Sequence, residues 1–166
     1  MSISFIRVDD RMVHGQTCTR WALEYPCDGI VAVNDKAAST PVLKAAYKNA
    51  AAGKKTFVWT YEEWKTKNQK VLESDSRYFL ITKEPLTMAK ILVDDKFQPG
   101  IKEVIIGPCN DRPGTVKLGN NQSITKEEAE ALERIYKAGY KITFALIKEA
   151  AIGPWEKFRG QFGYKD

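Results

Sequence analysis

The sequence predicts an α/β fold: a single domain with a doubly wound, mostly parallel sheet, helices on both faces and an antiparallel edge strand. Its length of 166 residues fits one domain, so we expect residues 1–166 to fold together. Short β-branched runs alternate with helical patterns of about a dozen residues, which is typical of a parallel sheet covered on both sides. Helix-start and helix-stop residues separate the runs.

The first part of the chain shows this alternation clearly. Ile3–Val8 is a short strand-like run, and Gly29–Asn34 is a continuous β-branched run typical of a strand buried on both faces. Ser39-Thr40-Pro41 then predicts a helix start, with a hydroxyl N-cap and proline at the first helical position. We expect Gly53 to end that helix. Its predicted inward face consists of Val42, Leu43, Ala46, Tyr47 and Ala50.

The same cycle continues to the end of the chain. The further predicted strands are Lys55–Thr60, Arg77–Thr82, Glu103–Ile106 and Lys141–Ile147. A further predicted helix is Glu62–Leu72, with Trp64 inward. Another begins at Pro85, with Leu86, Ala89, Leu92 and Val93 inward. A third runs from a Thr125–Glu128 capping box to Gly139, with Ala129, Leu132 and Tyr136 inward. Val116–Ile124 is interrupted by glycine and asparagine and predicts a hairpin-like edge, and the tail from Gly153 predicts a short docked helix.

Composition excludes several function classes. The hydrophobic share of 43% and charged share of 28% are those of an ordinary soluble protein, and every apolar run is far too short to span a bilayer. The N-terminus lacks a signal-peptide pattern. The net charge of +5 is scattered and accompanies no nucleic-acid motif. The three cysteines lack metal-ligand spacing. We therefore expect a cytoplasmic protein without metal, other cofactor, nucleic acid or membrane insertion.

The candidate chemistry follows the first strand. The segment Arg7-Val8-Asp9-Asp10-Arg11-Met12-Val13-His14-Gly15-Gln16 leads into a predicted helix at about 16–24. This is the usual ligand position in an open α/β sheet, and a helix start attracts phosphate. Histidine can hold a transferable phosphoryl group, and arginine can bind two phosphate oxygens at once. His14 is the only histidine, although a lone histidine is more often structural.

This segment closely resembles the signature of the enzyme IIB components of the mannose/fructose/sorbose family of the bacterial phosphoenolpyruvate-dependent sugar phosphotransferase system. Val33-Asn34-Asp35 resembles the family's Asn-Asp after the second strand, and Ile106-Gly107 with Arg112-Pro113-Gly114 resembles its glycine-containing loop. The chain departs from the family at Pro108-Cys109-Asn110, at Thr17-Cys18-Thr19 and in its C-terminal tail. These departures affect the expected sugar and partner specificity more than the chemistry.

The resemblance implies that His14 receives phosphate from a phosphohistidine of the IIA protein and donates it to a sugar bound by the membrane components IIC and IID. It favours Nδ1 of His14 as the accepting atom, and it implies catalytic roles for Arg11 and Asp10 beside His14. The phosphate-binding set it implies is Arg11, Gly15, Gln16 and Arg112, and the supporting set is Asp9, Asn34 and Asp35. We expect His14 to be at least partly exposed, with Met12 and Val13 serving as a partner contact or as anchors of the loop.

Three other functions remain open at this point. A hydrolase could use His14 as a general base beside Asp9 or Asp10. A regulatory or binding domain could keep the fold and lack phosphotransfer. Binding of nucleic acid rests only on the net charge.

Overall fold

The computed structural model describes residues 2–15 and 20–165 and forms one α/β domain. The strands are β1 (Ile3–Val8), β2 (Gly29–Val33), β3 (Lys55–Trp59), β4 (Tyr78–Thr82), β5 (Glu103–Ile106), β6 (Val116–Gly119), β7 (Gln122–Ile124), β8 (Lys141–Ala145) and β9 (Ala151–Pro154). The helices are α1 (Asp35–Ser39), α2 (Pro41–Ala50), α3 (Tyr61–Leu72), α4 (Pro85–Ala89, continued by a π-helical turn Lys90–Asp94), α5 (Lys126–Lys137) and α6 (Trp155–Phe158). Short 3₁₀ segments occupy Trp21–Leu23, Lys148–Ala150 and Arg159–Phe162.

The sheet is mostly parallel, as the sequence predicts. Its order is β3-β2-β4-β1-β5-β8-β9, in which only the β8–β9 pair is antiparallel. The chain leaves β1 towards β2 on one side and leaves β5 towards β8 on the other. The neighbouring strands β1 and β5 therefore form a topological switch point, where ligands bind at the carboxyl ends of open α/β sheets.

Alternate residues of the central strands build two cores, one on each face. Ile6, Val8 and Leu80 belong to the larger core, which also buries Trp64 of α3. Phe5, Ile30, Phe79 and Ile105 belong to the second core, together with Met12, Val13 and Trp21. The second core thus includes residues of the candidate site loop and of the segment that follows it.

Helix α2 packs less deeply than its sequence predicts. It has no buried residue, and Val42, predicted to lie inward, is 78% exposed. Ala46 is also exposed, while Leu43, Tyr47 and Ala50 are partly buried. The preceding short helix α1, which the sequence analysis missed, takes the inner position through buried Ala37. The predicted helix start is confirmed, with Thr40 at the N-cap and Pro41 as the first helical residue, but the Thr40 hydroxyl does not cap α2 and donates to the carbonyl of Lys36 in α1 instead.

The edges of the sheet differ from the prediction. Residues 116–124 do form a hairpin, but it is a separate two-stranded sheet rather than the edge of the main one. The antiparallel edge is β9, which lies in the segment predicted as a tail. A strand containing Gly153 and Pro154 was hard to recognise because both residues are unfavourable inside a sheet, though an edge tolerates proline. The predicted docked helix follows as α6, with Trp155 fully buried.

The helix that begins at Pro85 also differs from the prediction in which residues it buries. Leu86, expected inward, is 42% exposed, while Ala89 and Leu92 are buried as predicted. Tyr136 of α5 is only partly buried. The Thr125–Glu128 capping box is confirmed in both directions, and a second box that the sequence analysis missed joins Thr60 and Glu63.

Candidate active site at the carboxyl end of the first strand

The loop 9–15 lies at the switch point between β1 and β5. Its backbone is fixed on both sides, since the N–H of Asp9 donates to the carbonyl of Thr82 at 2.9 Å and the N–H of Asp10 donates to that of Pro108 at 3.0 Å. The loops that follow β1, β4 and β5 therefore meet around these two aspartates.

A tight turn directs the loop back onto the sheet. The N–H of Met12 donates to the carbonyl of Asp9 at 2.9 Å, and Met12 has a φ of 54°. Few residues with a side chain adopt this left-handed backbone, so the surrounding packing must hold it. Met12 is fully buried and Val13 is 3% exposed, both within the second core. Of the two roles predicted for this pair, the structure supports loop anchors and not a contact surface.

His14 is paired with a buried carboxylate. Its Nε2 lies 2.9 Å from Oδ2 of Asp9, which is inaccessible to solvent, whereas the His14 side chain is 12% exposed. The other oxygen of Asp9 accepts the backbone N–H of Arg11 at 2.8 Å. Burial alone would raise the pKa of Asp9, but the hydrogen bond with His14 and the charge of Arg7 hold it below its ordinary value. Asp9 is therefore an anion that can orient the imidazole ring through Nε2.

Arg7 contacts the site through Asp9, and the sequence analysis did not include it among the site residues. It is 1% exposed, and its Nε donates to Oδ2 of Asp9 at 3.1 Å. Its two terminal nitrogens donate to the carbonyls of Ala145 at 3.1 Å and Leu146 at 2.9 Å. The guanidinium also lies 5.1 Å from the ring centroid of Trp21. A single side chain thus connects the end of β8 to the carboxylate that contacts His14.

A glycine leaves room for this guanidinium. A Cβ added to Gly107 would lie 2.6 Å from Cζ of Arg7, far inside contact distance. Gly107, directly after β5, therefore allows the guanidinium of Arg7 to pack against its backbone. The sequence did contain a signal for Arg7, because a charged residue in a strand expected to be buried on both faces needs a partner.

Asp10 lies on the other side of the loop, towards the β5 loop. Its Oδ2 accepts the backbone N–H of Asn110 at 2.7 Å, while its Oδ1 is buried and has no hydrogen-bond partner among the described residues. Burial raises the pKa of Asp10, against the opposing effect of that hydrogen bond. Asp10 borders a polar cleft of about 540 Å³. The other lining residues are Lys83, Glu84, Cys109, Asn110, Asp111, Arg112 and Glu128.

The two predicted phosphate-binding arginines differ in position. Arg11 is an exposed residue whose backbone is fixed by Asp9. Arg112 lines the cleft beside Asp10, but its guanidinium donates to Oε1 of Glu128 at 2.6 Å and to the carbonyl of Ser123 at 3.4 Å. It would have to leave Glu128 to reach a phosphoryl group, so its predicted role requires a change of partner.

The remaining predicted site residues have structural contacts or lie outside the described part. Asn34 caps α1 by accepting the N–H of Ala37 at 2.9 Å, and Asp35 accepts the N–H of Tyr61 at 2.8 Å. Both therefore support the loops after β2 and β3. Gly15 is exposed and helical in conformation. Gln16 lies outside the described residues, as does most of the first half of the helix predicted at about 16–24.

The described residues contain neither a metal-ligand cluster nor a membrane-spanning helix. Within residues 2–15 and 20–165, no three histidine, cysteine, aspartate or glutamate side chains are grouped to hold a metal ion. Over the same residues, no helix combines the length and apolar character needed to cross a membrane.

Comparisons with known proteins agree with the fold and extend over nearly the whole chain. The family profile described as PTS system sorbose subfamily IIB component matches residues 3–165. The chain is 25% identical over 156 residues to the PTS system sorbose-specific EIIB component of Lacticaseibacillus casei, which covers 89% of each protein. It is 25% identical over 145 residues to the mannose-specific EIIAB component of Escherichia coli K12, where the match spans 86% of this chain but 43% of that protein.

A solved structure gives the same architecture. The IIBSor domain of the sorbose permease from Klebsiella pneumoniae superposes with a TM-score of 0.83 at 23% identity, covering 96% of this chain and 98% of that one. This likeness concerns the fold.

Proposed function

The chain belongs to the sorbose-subfamily IIB components of the sugar phosphotransferase system, a family with a role in sugar phosphotransfer, and we propose that it carries the phosphoryl group on Nδ1 of His14. In this proposal a IIA phosphohistidine is the donor. The acceptor is a sugar bound by the IIC and IID membrane components, at the cytoplasmic face of the membrane.

The pairing of His14 with Asp9 is the observation that supports this function best. With Nε2 against a buried anion at 2.9 Å, the favoured neutral ring has its proton on Nε2 and its lone pair on Nδ1. That lone pair forms the new N–P bond while the donor's N–P bond breaks and returns its electron pair to the donor nitrogen. The ring becomes a phosphoimidazolium, and the anion of Asp9 stabilises it through the retained proton.

The second transfer reverses these roles. The hydroxyl oxygen of the sugar forms the new O–P bond, the N–P bond breaks, and its electron pair returns to Nδ1. The hydroxyl proton passes to water or to a base on the sugar-binding side. In this proposal Asp9 keeps the proton on Nε2, so the leaving group is a neutral imidazole and not an imidazolate, which makes its departure easier.

Cations near the site would meet the charge that spreads over the phosphoryl oxygens during transfer. Arg11 is exposed next to the turn, and Lys83 and Arg112 line the adjacent cleft. We assign Arg11 as the bidentate clamp and Arg112 as a second cation that becomes available when it leaves Glu128. Asp10 keeps the β5 loop in place through Asn110.

A donor must also reach the ring. The His14 side chain is 12% exposed, but Nδ1 itself has less than 1 Å² of accessible surface. Transfer therefore requires a local shift of the ring or of neighbouring residues when the partner docks. Three exposed apolar residues lie on segments that follow strands of the main sheet: Val42 in α2, Leu86 in α4 and Val116 at the start of β6. They suit contact with a protein partner.

Phosphorylation in a reconstituted pathway tests the proposal. The protein is incubated with phosphoenolpyruvate, the two general carrier proteins and a IIA protein, and the product is analysed for an acid-labile, alkali-stable label. Since His14 is the only histidine, ¹⁵N and ³¹P NMR of the labelled protein identify the phosphorylated nitrogen directly. We expect one label, on Nδ1.

The His14→Gln and His14→Ala variants provide the control. His14 belongs to neither apolar core and lies outside the strands, so both variants should keep the circular dichroism spectrum and lose the label. A folded variant that still accepts phosphate from IIA would disprove the assignment. A wild-type protein that docks IIA but never takes up phosphate would instead favour a regulatory domain of the same fold.

A further inference from the structure

Arg7 is a buried cation with a fixed set of partners. Its side chain is 1% exposed and reaches Asp9 and two carbonyls after β8, and Asp9 is 0% exposed. An arginine in such a place costs free energy unless its charge is compensated. Here the compensating charge is the same carboxylate that contacts His14. When the imidazole of His14 is neutral, the cluster of Arg7, Asp9 and His14 therefore carries one positive and one negative charge.

We propose that Arg7 is a positioning residue for phosphotransfer, which balances the charge of Asp9 and fixes its carboxylate so that His14 remains a neutral nucleophile with its proton on Nε2. The inference rests on the proposed phosphorylation of His14. It adds a residue that touches neither phosphate nor sugar and acts through Asp9.

The physical argument is one of charge balance. An aspartate anion beside an imidazole favours the protonated, cationic ring, which has no lone pair to attack with. A guanidinium on the other side of the same carboxylate offsets that preference, because a protonated ring would leave the buried cluster with a net positive charge. Asp9 can then orient the ring without keeping it protonated. The two bonds to the β8 carbonyls prevent the guanidinium from turning away.

Other titratable groups face this cluster and must be accounted for. Tyr47 of α2 lies near Asp9, and its phenol pKa is raised by burial and by that charge, so it stays neutral. Cys109 after β5 faces both Arg7 and Asp9, and burial raises its thiol pKa to about 12. Asp10, whose pKa is raised, lies beside Asp9 and can titrate on the acid side. An Asp10→Asn background removes that contribution.

The test is an NMR titration of the single imidazole, followed through its Hε1 and ring ¹⁵N resonances, in the unphosphorylated protein. Arg7→Met should move the titration midpoint of His14 up by about one pH unit, because the anion of Asp9 then acts on the ring without the opposing charge of Arg7. Asp9→Asn should move it down, because only the cation remains. Arg7→Lys keeps the charge and should leave the midpoint close to that of the wild type.

Phosphorylation rates give the second readout. On the acid side of the pH–rate profile, the phosphorylation rate of each variant should fall as its His14 becomes protonated. At pH values below its raised titration midpoint, Arg7→Met should therefore be about tenfold slower than the wild type. Arg7→Lys should lower the rate at all pH values without shifting the pH of that fall, because lysine lacks the planar fork. The double variant Arg7→Met/Asp9→Asn removes both charges, so its midpoint should return towards the wild-type value. This double variant also keeps the proposal testable if Arg7→Met alone does not fold.

Arg159 provides the matched control. It is a second buried arginine, 5% exposed, whose Nε donates to Glu133 at 2.9 Å in the C-terminal segment. Arg159→Met should destabilise the fold in a similar way without moving the His14 titration. The inference is overturned if Arg7→Met and Asp9→Asn shift the midpoint in the same direction, or if Arg7→Met shifts it no more than Arg159→Met does. The titration needs no phosphate, so a failure of the phosphocarrier function would be seen separately as a missing label.

Discussion

Replacing Gly107 by alanine should damage both the stability of the fold and phosphorylation of His14. The added Cβ would lie 2.6 Å from Cζ of Arg7, and closer still to one of its terminal nitrogens. The far end of a long side chain usually moves aside at little cost. This one is enclosed and holds three hydrogen bonds, so moving it breaks at least one contact with Asp9, Ala145 or Leu146.

The magnitude follows from the cost of overpacking a well-filled interior, which is about 1–3 kcal/mol. For a domain of this size, each kcal/mol lowers the melting temperature by about 2–4 °C. We therefore expect a loss of roughly 2–12 °C for Gly107→Ala, from the product of those two ranges. Phosphorylation from IIA should slow at a temperature where the variant is still fully folded, because Asp9 and the His14 ring lose their alignment.

Gly29 provides a matched steric control at the other end of the sheet. A Cβ there would lie 2.6 Å from the Tyr78 ring and 2.9 Å from the carbonyl of Lys55. Gly29→Ala should be destabilised by a similar or larger amount, with no specific loss of phosphorylation. Gly160→Ala meets nothing within 4 Å and should behave as the wild type. Melting curves and initial phosphorylation rates of the three variants provide the comparison. Equal rate losses for Gly107→Ala and Gly29→Ala would refute the reasoning.

Three further predictions concern the clamp, the partner surface and a cap. Arg11→Lys keeps the charge but loses the fork, so transfer to the sugar should fall by about tenfold or more in a reconstituted transport assay, with an unchanged melting temperature. Leu86→Glu should weaken phosphorylation by IIA, measured as a raised KM for phospho-IIA. Leu23→Glu places the same charge on a more exposed apolar residue, in the 3₁₀ segment Trp21–Leu23, and should leave that KM unchanged. Thr60→Ala removes the cap of α3 and should cost about 1 kcal/mol in a urea titration without affecting phosphorylation.

The parts of the fold that the sequence predicted correctly are those with strong periodicity. Every strand of the parallel sheet begins at the predicted residue or within one of it, because continuous β-branched runs between helix signals have few alternatives. The errors lie where local patterns are weak. In helix α2 the predicted apolar face was only partly right, since Leu43, Tyr47 and Ala50 are partly buried whereas Val42 lies at the surface. The edge strand β9 depends on pairing with β8, which no local pattern reports.

For the candidate site, the sequence predicted which loops meet but not which of their side chains interact. The loop 9–15 and the loop after β5 do meet, as the carboxyl ends of neighbouring parallel strands must. Which side chains interact across that junction depends on distances that the sequence does not contain. Asp9 was assigned a supporting role on the same footing as Asn34 and Asp35. The structure separates them, since Asp9 contacts the imidazole whereas Asn34 caps a helix.

Arg7 shows most clearly why part of the site was missed. In the strand Ile3–Val8, residues 5 and 7 point to the same face, and Phe5 fills the second core there. An arginine at the next inward position breaks the apolar pattern, and a strand selected only for stability would favour an aliphatic side chain. This strand instead carries a buried cation whose Nε donates to the carboxylate that contacts His14. If stability alone explained it, an apolar replacement of both Arg7 and Asp9 would preserve the fold and the phosphorylation rate together. We expect it to preserve the fold and to lose the rate, since the ring would then have no anion to fix its tautomer.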